Sequence, residues 1–155
     1  MNFLAHVYLS FESDEVLVGN FIADAVKGKE VLKFTPGIQK GILLHREIDH
    51  YTDSHEVVKE FKKELRPVFG KYAPVVSDIY FDHFLACSWH HYSTTPLADF
   101  AQYTYKTILA HKAILPEKVK GYLPYMIREN WLFNYSNFEG IKRVFEGMSS
   151  RARFD

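Results

Sequence analysis

The segment GILLHREIDHYTDSH, residues 41–55, concentrates side chains that bind metal ions or transfer protons. Its histidines and aspartates are His45, Asp49, His50, Asp53 and His55. In a helix, a rotation of about 100° per residue places His45 and Asp49 on the apolar stripe that begins at Ile38. His50 then lies about 100° from Asp49, whereas residues 53 and 55 fall near the expected helix end, where capping is an alternative role. The pair that faces inward is therefore His45 and Asp49.

Two further segments carry acids on an apolar helical face. In APVVSDIYFDHFLACSW, residues 73–89, Asp78 and Asp82 share a stripe with Phe81 and other apolar side chains. In SDEVLVGNFIADAVKG, residues 13–28, Asp24 shares a stripe with Phe21. Burying an unpaired carboxylate is costly, so acids that converge on one core require a cation or hydrogen bonds. We expect a metal site whose first candidates are Asp24, His45, Asp49 and Asp82.

Ligand chemistry limits which ions the predicted site can bind. Carboxylates with one or two imidazoles suit Mn²⁺, Mg²⁺, Fe²⁺ or Zn²⁺, and the lack of a cysteine cluster argues against structural zinc or an iron–sulfur cluster. Asp78 is equally suited to bind the ion or to accept a hydrogen bond beside it. On spacing alone, His6 is expected to be a core histidine. For His83, spacing is compatible either with packing in the core or with a contact to the substrate. Each i,i+4 pair taken alone is better explained as a hydrogen bond or a solvated helix face, but three coincident stripes favour a metal.

Capping residues and prolines divide the chain into helices. Ser13 and Thr35 are suited to cap helix N-termini, and Pro36 is suited to the first helical position. A further helix is predicted from a cap at residues 53–54 to Pro67. Strand-type alternation bounded by hairpin turns is hard to find. The sequence therefore predicts one compact all-α domain over residues 1–155, a bundle of about six or seven helices.

Composition excludes several classes of function. Nineteen basic and nineteen acidic residues argue against broad electrostatic binding of nucleic acid or of an acidic membrane surface. Cys87 is the single cysteine, which excludes an intrachain disulfide and predicts a reducing compartment, the cytoplasm. The apolar start MNFLAHVYLSF has no basic region and is too short to span a bilayer. No nucleophile elbow, phosphate loop or dinucleotide fingerprint is present, so hydrolysis at a metal remains.

Several ordered motifs are spread along the chain: MNFLAH at 1–6, GNFIAD at 19–24, the segment 41–55 and DIYFDHFLACSW at 78–89, with a weaker one in MSSR at 148–151. Together they resemble the acyl carrier protein phosphodiesterase family. The resemblance implies a divergent relative of the HD metal phosphohydrolases, with Mn²⁺-dependent removal of 4′-phosphopantetheine from holo-acyl carrier protein in fatty acid and lipid metabolism. The adjacent His-Asp pair of ordinary HD proteins is missing here, so their ligand pattern does not transfer directly.

The resemblance marks most of the following positions but does not divide them into metal ligands and substrate-binding residues; our working mechanism assigns these roles and adds Lys27, whose charge could neutralise the phosphate. The expected catalytic residues are Asp24, His45, Asp49, Asp82 and His83. The expected substrate-binding residues are Asn20, Lys27, Arg46 and Arg151, although a solvated surface position explains Arg46 slightly better. The secondary candidates for metal binding are His6, Asp53, His55 and Asp78.

A basic segment lies between the first two candidate site helices. Residues 26–46 contain four lysines and Arg46 against Glu30 alone, an excess of four positive charges in a neutral chain. Acyl carrier proteins are typically acidic, so this segment is expected to dock one, with solvated lysines as the alternative. Two other functions stay open: hydrolysis of a nucleotide or another small phosphate ester, and a non-catalytic helical module that binds carrier protein. The sequence does not predict the oligomeric state.

Overall fold

The computed structural model describes residues 3–11 and 13–152, with side chains described as far as residue 147. Its helices are α1 Phe3–Tyr8, α2 Asp14–Ile22, α3 Pro36–Ser54, α4 Glu56–Phe69, α5 Ala73–Cys87, α6 Leu97–Ala110, α7 Glu117–Arg128, α8 Trp131–Asn134 and α9 Phe138–Ala152. Short 3₁₀ turns lie at Ala23–Ala25, Gly28–Lys33, Gly70–Tyr72, Trp89–His91 and Lys112–Ile114. These described residues contain no β-strand, so the predicted all-α class is confirmed.

The predicted starts of α2 and α3 are close to those observed. The Ser13 hydroxyl accepts a hydrogen bond from the Val16 amide, 3.1 Å away, and so caps α2. Pro36 is the first residue of α3, as expected of a residue that has no amide hydrogen to satisfy. Thr35 precedes it as predicted, but its hydroxyl donates to the Glu15 carboxylate at 2.6 Å instead of capping the helix. Local sequence therefore determines both helix starts.

The predicted bounds of α4 are wrong at both ends. His55 is the N-cap, because its Nδ1 accepts a hydrogen bond from the Val57 amide at 3.2 Å. The helix also continues past Pro67 to Phe69 and ends at Gly70, which has a φ of +54°. A proline removes the hydrogen bond that its own amide would donate, and the helix continues for only two residues beyond Pro67.

Helices α2 and α3 cross with their backbones in close contact. A Cβ placed on Gly19 would lie 2.1 Å from the Ile38 carbonyl oxygen, and one placed on Gly41 would lie 2.2 Å from the Val16 carbonyl oxygen. Only glycine permits this approach. The crossing brings the last turn of α2 beside the middle of α3, where the candidate ligands lie.

The core surrounds α2. Seven consecutive residues of this helix, from Val16 to Ile22, are buried, so it is covered on all sides. By contrast, α4 has no buried residue and packs along α5 at the periphery. Among the described helices, none combines the length and the apolar character needed to cross a membrane.

Candidate metal centre

Four side chains from three segments meet beside the α2–α3 crossing. His45 Nε2 lies 3.2 Å from Asp24 Oδ1 and 3.2 Å from Asp49 Oδ2. His6 Nε2, from α1, lies 2.9 Å from the other oxygen of Asp49. The two imidazole rings stack with their centroids 3.7 Å apart and their planes 9° apart. We call these four residues the His/Asp cluster.

The cluster has a buried side and an open side. Both histidines are buried, whereas the Asp24 and Asp49 side chains are 43% and 44% exposed. The carboxylates thus form the face that solvent reaches. A substrate would approach the cluster from that side.

Asn20 determines how His45 is oriented. His45 Nδ1 lies 2.8 Å from the Asn20 backbone carbonyl oxygen and 3.1 Å from its side-chain oxygen. Both are acceptors, so Nδ1 carries a proton and donates it, which turns Nε2 toward the two carboxylates. A metal-binding histidine is typically held in this way, with one nitrogen on a carbonyl and the other on the ion.

The same asparagine connects His45 to α1. Its amide nitrogen donates to the His6 carbonyl oxygen and to the Ser10 hydroxyl oxygen, both at 2.8 Å. Ser10 in turn donates to the His6 carbonyl at 2.9 Å. Asn20 was predicted to bind substrate, but it is fully buried and positions the histidines instead. Ser10 was not predicted, because the sequence gives no sign that α1 lies against α2.

The charges in the cluster depend on one another. Burial disfavours the charged form of His45, but hydrogen bonds and charges from Asp24 and Asp49 outweigh it and raise its pKa to about 9. Burial likewise opposes ionisation of both acids, but His45 holds the pKa of Asp24 below its usual value, and His45 together with His6 does the same for Asp49. At neutral pH, two carboxylates therefore converge on a single proton at His45 Nε2. A divalent cation can replace that proton, since metal binding to histidine releases protons.

The donor set fits a divalent metal. The ligand atoms of His6, His45 and Asp49 all lie within 4.8 Å of one another. Asp24 adds a carboxylate oxygen that is already 3.2 Å from His45 Nε2. Two imidazoles with one or two carboxylates match Mn²⁺, Fe²⁺ or Zn²⁺ better than Mg²⁺, which prefers oxygen ligands. The fit supports Asp24, His45 and Asp49 as predicted, and it gives His6 a larger role than its spacing indicated.

Asp82 lies outside the cluster. Its two carboxylate oxygens accept hydrogen bonds from the Leu4 and Ala5 amides, each at 2.9 Å, at the first turn of α1. Asp82 is completely buried, and this burial raises its pKa to about 7 although the two amides favour the ionised form. The expected ligand is therefore a structural residue: it holds in place the helix that carries His6.

The structure also separates the residues at the α3–α4 junction from the cluster. Asp53 is exposed and accepts a hydrogen bond from Lys62 Nζ at 2.6 Å. His55 is exposed and caps α4, as described above. His50 is exposed on the outer side of α3. Capping and a surface ion pair account for Asp53 and His55, which were secondary metal candidates.

The two remaining candidates on α5 are not part of the cluster either. His83 is half-buried, and its Nδ1 donates to the Tyr135 carbonyl oxygen at 2.6 Å. Asp78 is half-buried one turn before Asp82, and its charge helps to raise the pKa of Asp82. In the structure His83 connects α5 to the end of α8, and its catalytic role stays a prediction.

The predicted substrate-binding cations lie at the surface. Lys27 and Arg46 are exposed, and an Arg46 guanidinium nitrogen donates to the Val26 carbonyl oxygen at 3.3 Å. This contact holds the guanidinium group of Arg46 against the segment that follows Asp24. Arg151 falls at the end of α9, where the side chains lie outside the described residues.

An aromatic wall lies next to the cluster and was not predicted. It consists of Phe3, Phe21, Tyr122 and Trp131, with ring centroids 5.5 Å apart for Phe3 and Phe21 and 6.2 Å apart for Tyr122 and Trp131. Burial and, to a lesser degree, the charge of Asp24 raise the pKa of Tyr122. Phe3 and Phe21 each precede a cluster residue by three positions, a spacing visible in the sequence. The other two come from α7 and α8, and only the fold brings them here.

Comparison with known proteins gives the family. The family model described as acyl carrier protein phosphodiesterase matches residues 1–155. Proteins named acyl carrier protein phosphodiesterase from Enterobacter sp. (strain 638), Yersinia pestis and Klebsiella pneumoniae (strain 342) are 36%, 35% and 37% identical to this chain. Each alignment covers 152 residues, 97% of this chain and 79% of the relative. No solved structure matches the chain, so its relation to the HD phosphohydrolases stays a prediction. By the family match and these identities, the chain belongs to the acyl carrier protein phosphodiesterase family.

Proposed function

We propose that this protein is a metal-dependent phosphodiesterase that removes 4′-phosphopantetheine from holo-acyl carrier protein and leaves the apo-protein. One observation carries the proposal: Asp24 and Asp49 converge on His45 Nε2 while the backbone carbonyl of Asn20 holds the opposite ring nitrogen. The names of the relatives support a carrier-protein substrate. With that substrate, the protein acts in fatty acid biosynthesis in the cytoplasm.

The proposed cofactor is a divalent ion, with Mn²⁺ preferred over Fe²⁺, Zn²⁺ and Mg²⁺. Asp24, His45 and Asp49 would hold it, together with His6. When bound, such an ion would supply Lewis-acid activation of the phosphate ester and of a water molecule, which is the chemistry that phosphodiester hydrolysis requires. The donor set and the shared proton at His45 support this assignment.

The residues of the chain have separate tasks in this proposal. Asn20 keeps His45 Nε2 directed at the acids, and Asp82 keeps α1 and therefore His6 in place. The half-exposed edges of Asp24 and Asp49 admit the phosphodiester. Arg46 follows His45 directly in the chain and contributes positive charge that favours an anionic substrate.

The basic segment 26–46 is the proposed docking surface for carrier protein. Lys27, Lys29 and Lys33 are all exposed there. The segment leads from Asp24 to His45, so an acidic protein bound along it brings its modified serine toward the cluster. Electrostatic attraction of this kind raises the rate of encounter more than the final affinity.

A comparison of substrates tests the proposal. The wild-type protein with Mn²⁺ is incubated separately with holo-acyl carrier protein, with nucleotides and with bis(p-nitrophenyl) phosphate. We expect the carrier protein to lose the mass of its prosthetic group, as measured by mass spectrometry, with a higher kcat/KM than for either small substrate. Turnover of nucleotides with an unchanged carrier-protein mass would contradict the proposed substrate. No turnover of any substrate would contradict the proposed activity.

A further inference from the structure

A cleft lies between the end of α6 and the length of α7. It has a volume of about 270 Å³, and its lining consists of Leu109, Lys112, Leu115, Lys120, Leu123, Pro124, Ile127 and Arg128. None of these residues belongs to the His/Asp cluster, to the aromatic wall or to the basic segment 26–46. The cleft is therefore a separate feature of the molecule.

The cleft has an apolar floor. Leu115 and Leu123 are each only 3% exposed and form its depth, while Leu109 is 45% exposed at its edge. Water therefore reaches the apolar lining mainly at its edge, at Leu109, and this contact is unfavourable. An apolar ligand chain would remove this contact.

The rim of the cleft is positively charged. Three residues of the lining are cations: Lys112, Lys120 and Arg128. Glu117 pairs with Lys120 at 2.9 Å, and Glu129 lies 3.5 Å from Arg128. Within the described part of the chain, no acid pairs with Lys112, so its charge is not neutralised by an ion pair there. The rim favours an anion.

We infer that this cleft binds an anionic amphiphile with a single short alkyl chain, the chain on the leucines and the anionic group beside Lys112. An enclosed apolar cavity of about 150 Å³ holds benzene, so a short alkyl chain is of a suitable size for this cleft, which opens to solvent on one side. The carboxylate of a fatty acid and the sulfate or phosphate of an alkyl ester share the required chemistry.

Calorimetry and ¹⁵N NMR titration of the full chain with decanoate, below its micelle-forming concentration, test the inference. We expect saturable binding with shift changes concentrated in residues 109–128. Binding should tighten by up to about fourfold for each methylene added between hexanoate and decanoate, because each buried CH₂ contributes a similar free energy. Decyl sulfate and decyl phosphate distinguish a general anion site from one selective for carboxylate. No saturable binding, shift changes spread over the whole surface, or equal binding of decyltrimethylammonium would overturn it.

Two matched pairs of variants distinguish binding in the cleft from general effects of surface charge and hydrophobicity. Lys112→Glu should weaken decanoate binding by about fivefold, whereas Lys118→Glu, an exposed lysine outside the lining, should not. Leu109→Ser should weaken it as well, whereas Leu32→Ser, at another exposed leucine, should not. Circular dichroism checks that all four variants fold. If the two variants of either pair changed decanoate affinity equally, the inference would be overturned.

Discussion

At the scale of single residues, the His/Asp cluster depends on which nitrogen of His45 faces the acids. The sequence predicts the pair His45 and Asp49, because an i,i+4 relation on a helix is a local property. It could not assign His6 with the same certainty. That residue reaches Asp49 because side chains from other segments hold α1: Asn20 binds its His6 carbonyl, and Asp82 accepts from its backbone amides across 77 and 78 positions of sequence. Long-range contacts of this kind leave no local signature.

Asp49→Asn tests whether the cluster binds metal. The substitution removes a negative charge that contacts both histidines, so the affinity for Mn²⁺ should fall by at least about tenfold, as measured by calorimetry. Asp53→Asn is the matched control, since it changes the same type of side chain four residues later on α3, where Asp53 pairs with Lys62. Equal Mn²⁺ affinities of the two variants would contradict the assignment of Asp49.

Asp82 should make stability depend on pH in a specific direction. Its pKa rises from 3.8 in the unfolded chain to about 7 in the folded protein, so between these values the folded state keeps a proton that the unfolded state has lost. The free energy of unfolding should therefore fall as the pH rises from about 4 to about 7. This sign is opposite to that of an aspartate stabilised by an ion pair.

Asp82→Asn isolates this contribution. Asparagine cannot ionise, so the variant lacks this pH dependence. As the pH rises from about 5 to about 7.5, the difference in free energy of unfolding between variant and wild type should shift in favour of the variant by about 2 to 3 kcal/mol. Urea unfolding in the presence of a chelator measures the difference, and the titration of His45 cancels because both proteins contain it. Parallel pH profiles of the two proteins would refute the raised pKa.

At the scale of elements, the α2–α3 crossing sets the distance between Asn20 and His45. The sequence predicts both helices from Ser13 and Pro36, but the crossing depends on two glycines that meet backbone to backbone. Glycine within a helical pattern is not specific enough to predict such a contact from the sequence. The same limit applies to the end of α4, where the helix continues for two residues beyond Pro67.

Gly41→Ala tests the crossing. The added methyl group would lie 2.2 Å from the Val16 carbonyl oxygen and 2.8 Å from the Asn20 amide nitrogen, so the helices must move apart. We expect a loss of about 1 to 3 kcal/mol in the free energy of unfolding, together with weaker Mn²⁺ binding. In Gly121→Ala, nothing lies within 4 Å of the new methyl group, and the higher helix propensity of alanine should raise stability by up to about 1 kcal/mol. Equal stability changes in the two variants would rule out the proposed contact.

At the scale of the whole molecule, a chain of zero formal charge carries a local positive excess beside its candidate centre. The sequence predicts this excess, the all-α class and the convergence of three helical stripes. The sequence could not show that the cluster is formed by the stripes that contain Asp24 and His45, together with α1. Nor could it show that the stripe on α5 supports α1 through Asp82. That distinction depends on how the helices pack.

The double variant Lys29→Glu and Lys33→Glu tests docking. It should raise the KM for holo-acyl carrier protein by about tenfold at low salt and leave kcat/KM for bis(p-nitrophenyl) phosphate unchanged, because only the protein substrate needs the surface. Lys59→Glu with Lys63→Glu makes the same charge change at exposed positions on α4 and is the control. A similar rise in KM in both double variants would mean that net charge, not this segment, attracts the carrier protein.

The most direct test of the central claim is the release of 4′-phosphopantetheine from holo-acyl carrier protein, followed by mass spectrometry after chelation and readdition of Mn²⁺. We predict that chelation stops release by the wild-type protein, that Mn²⁺ restores it, and that His45→Ala remains inactive at every Mn²⁺ concentration. His50→Ala, which changes an exposed histidine on the same helix, should behave as wild type. Release that persists in the chelated protein or in His45→Ala would contradict the account.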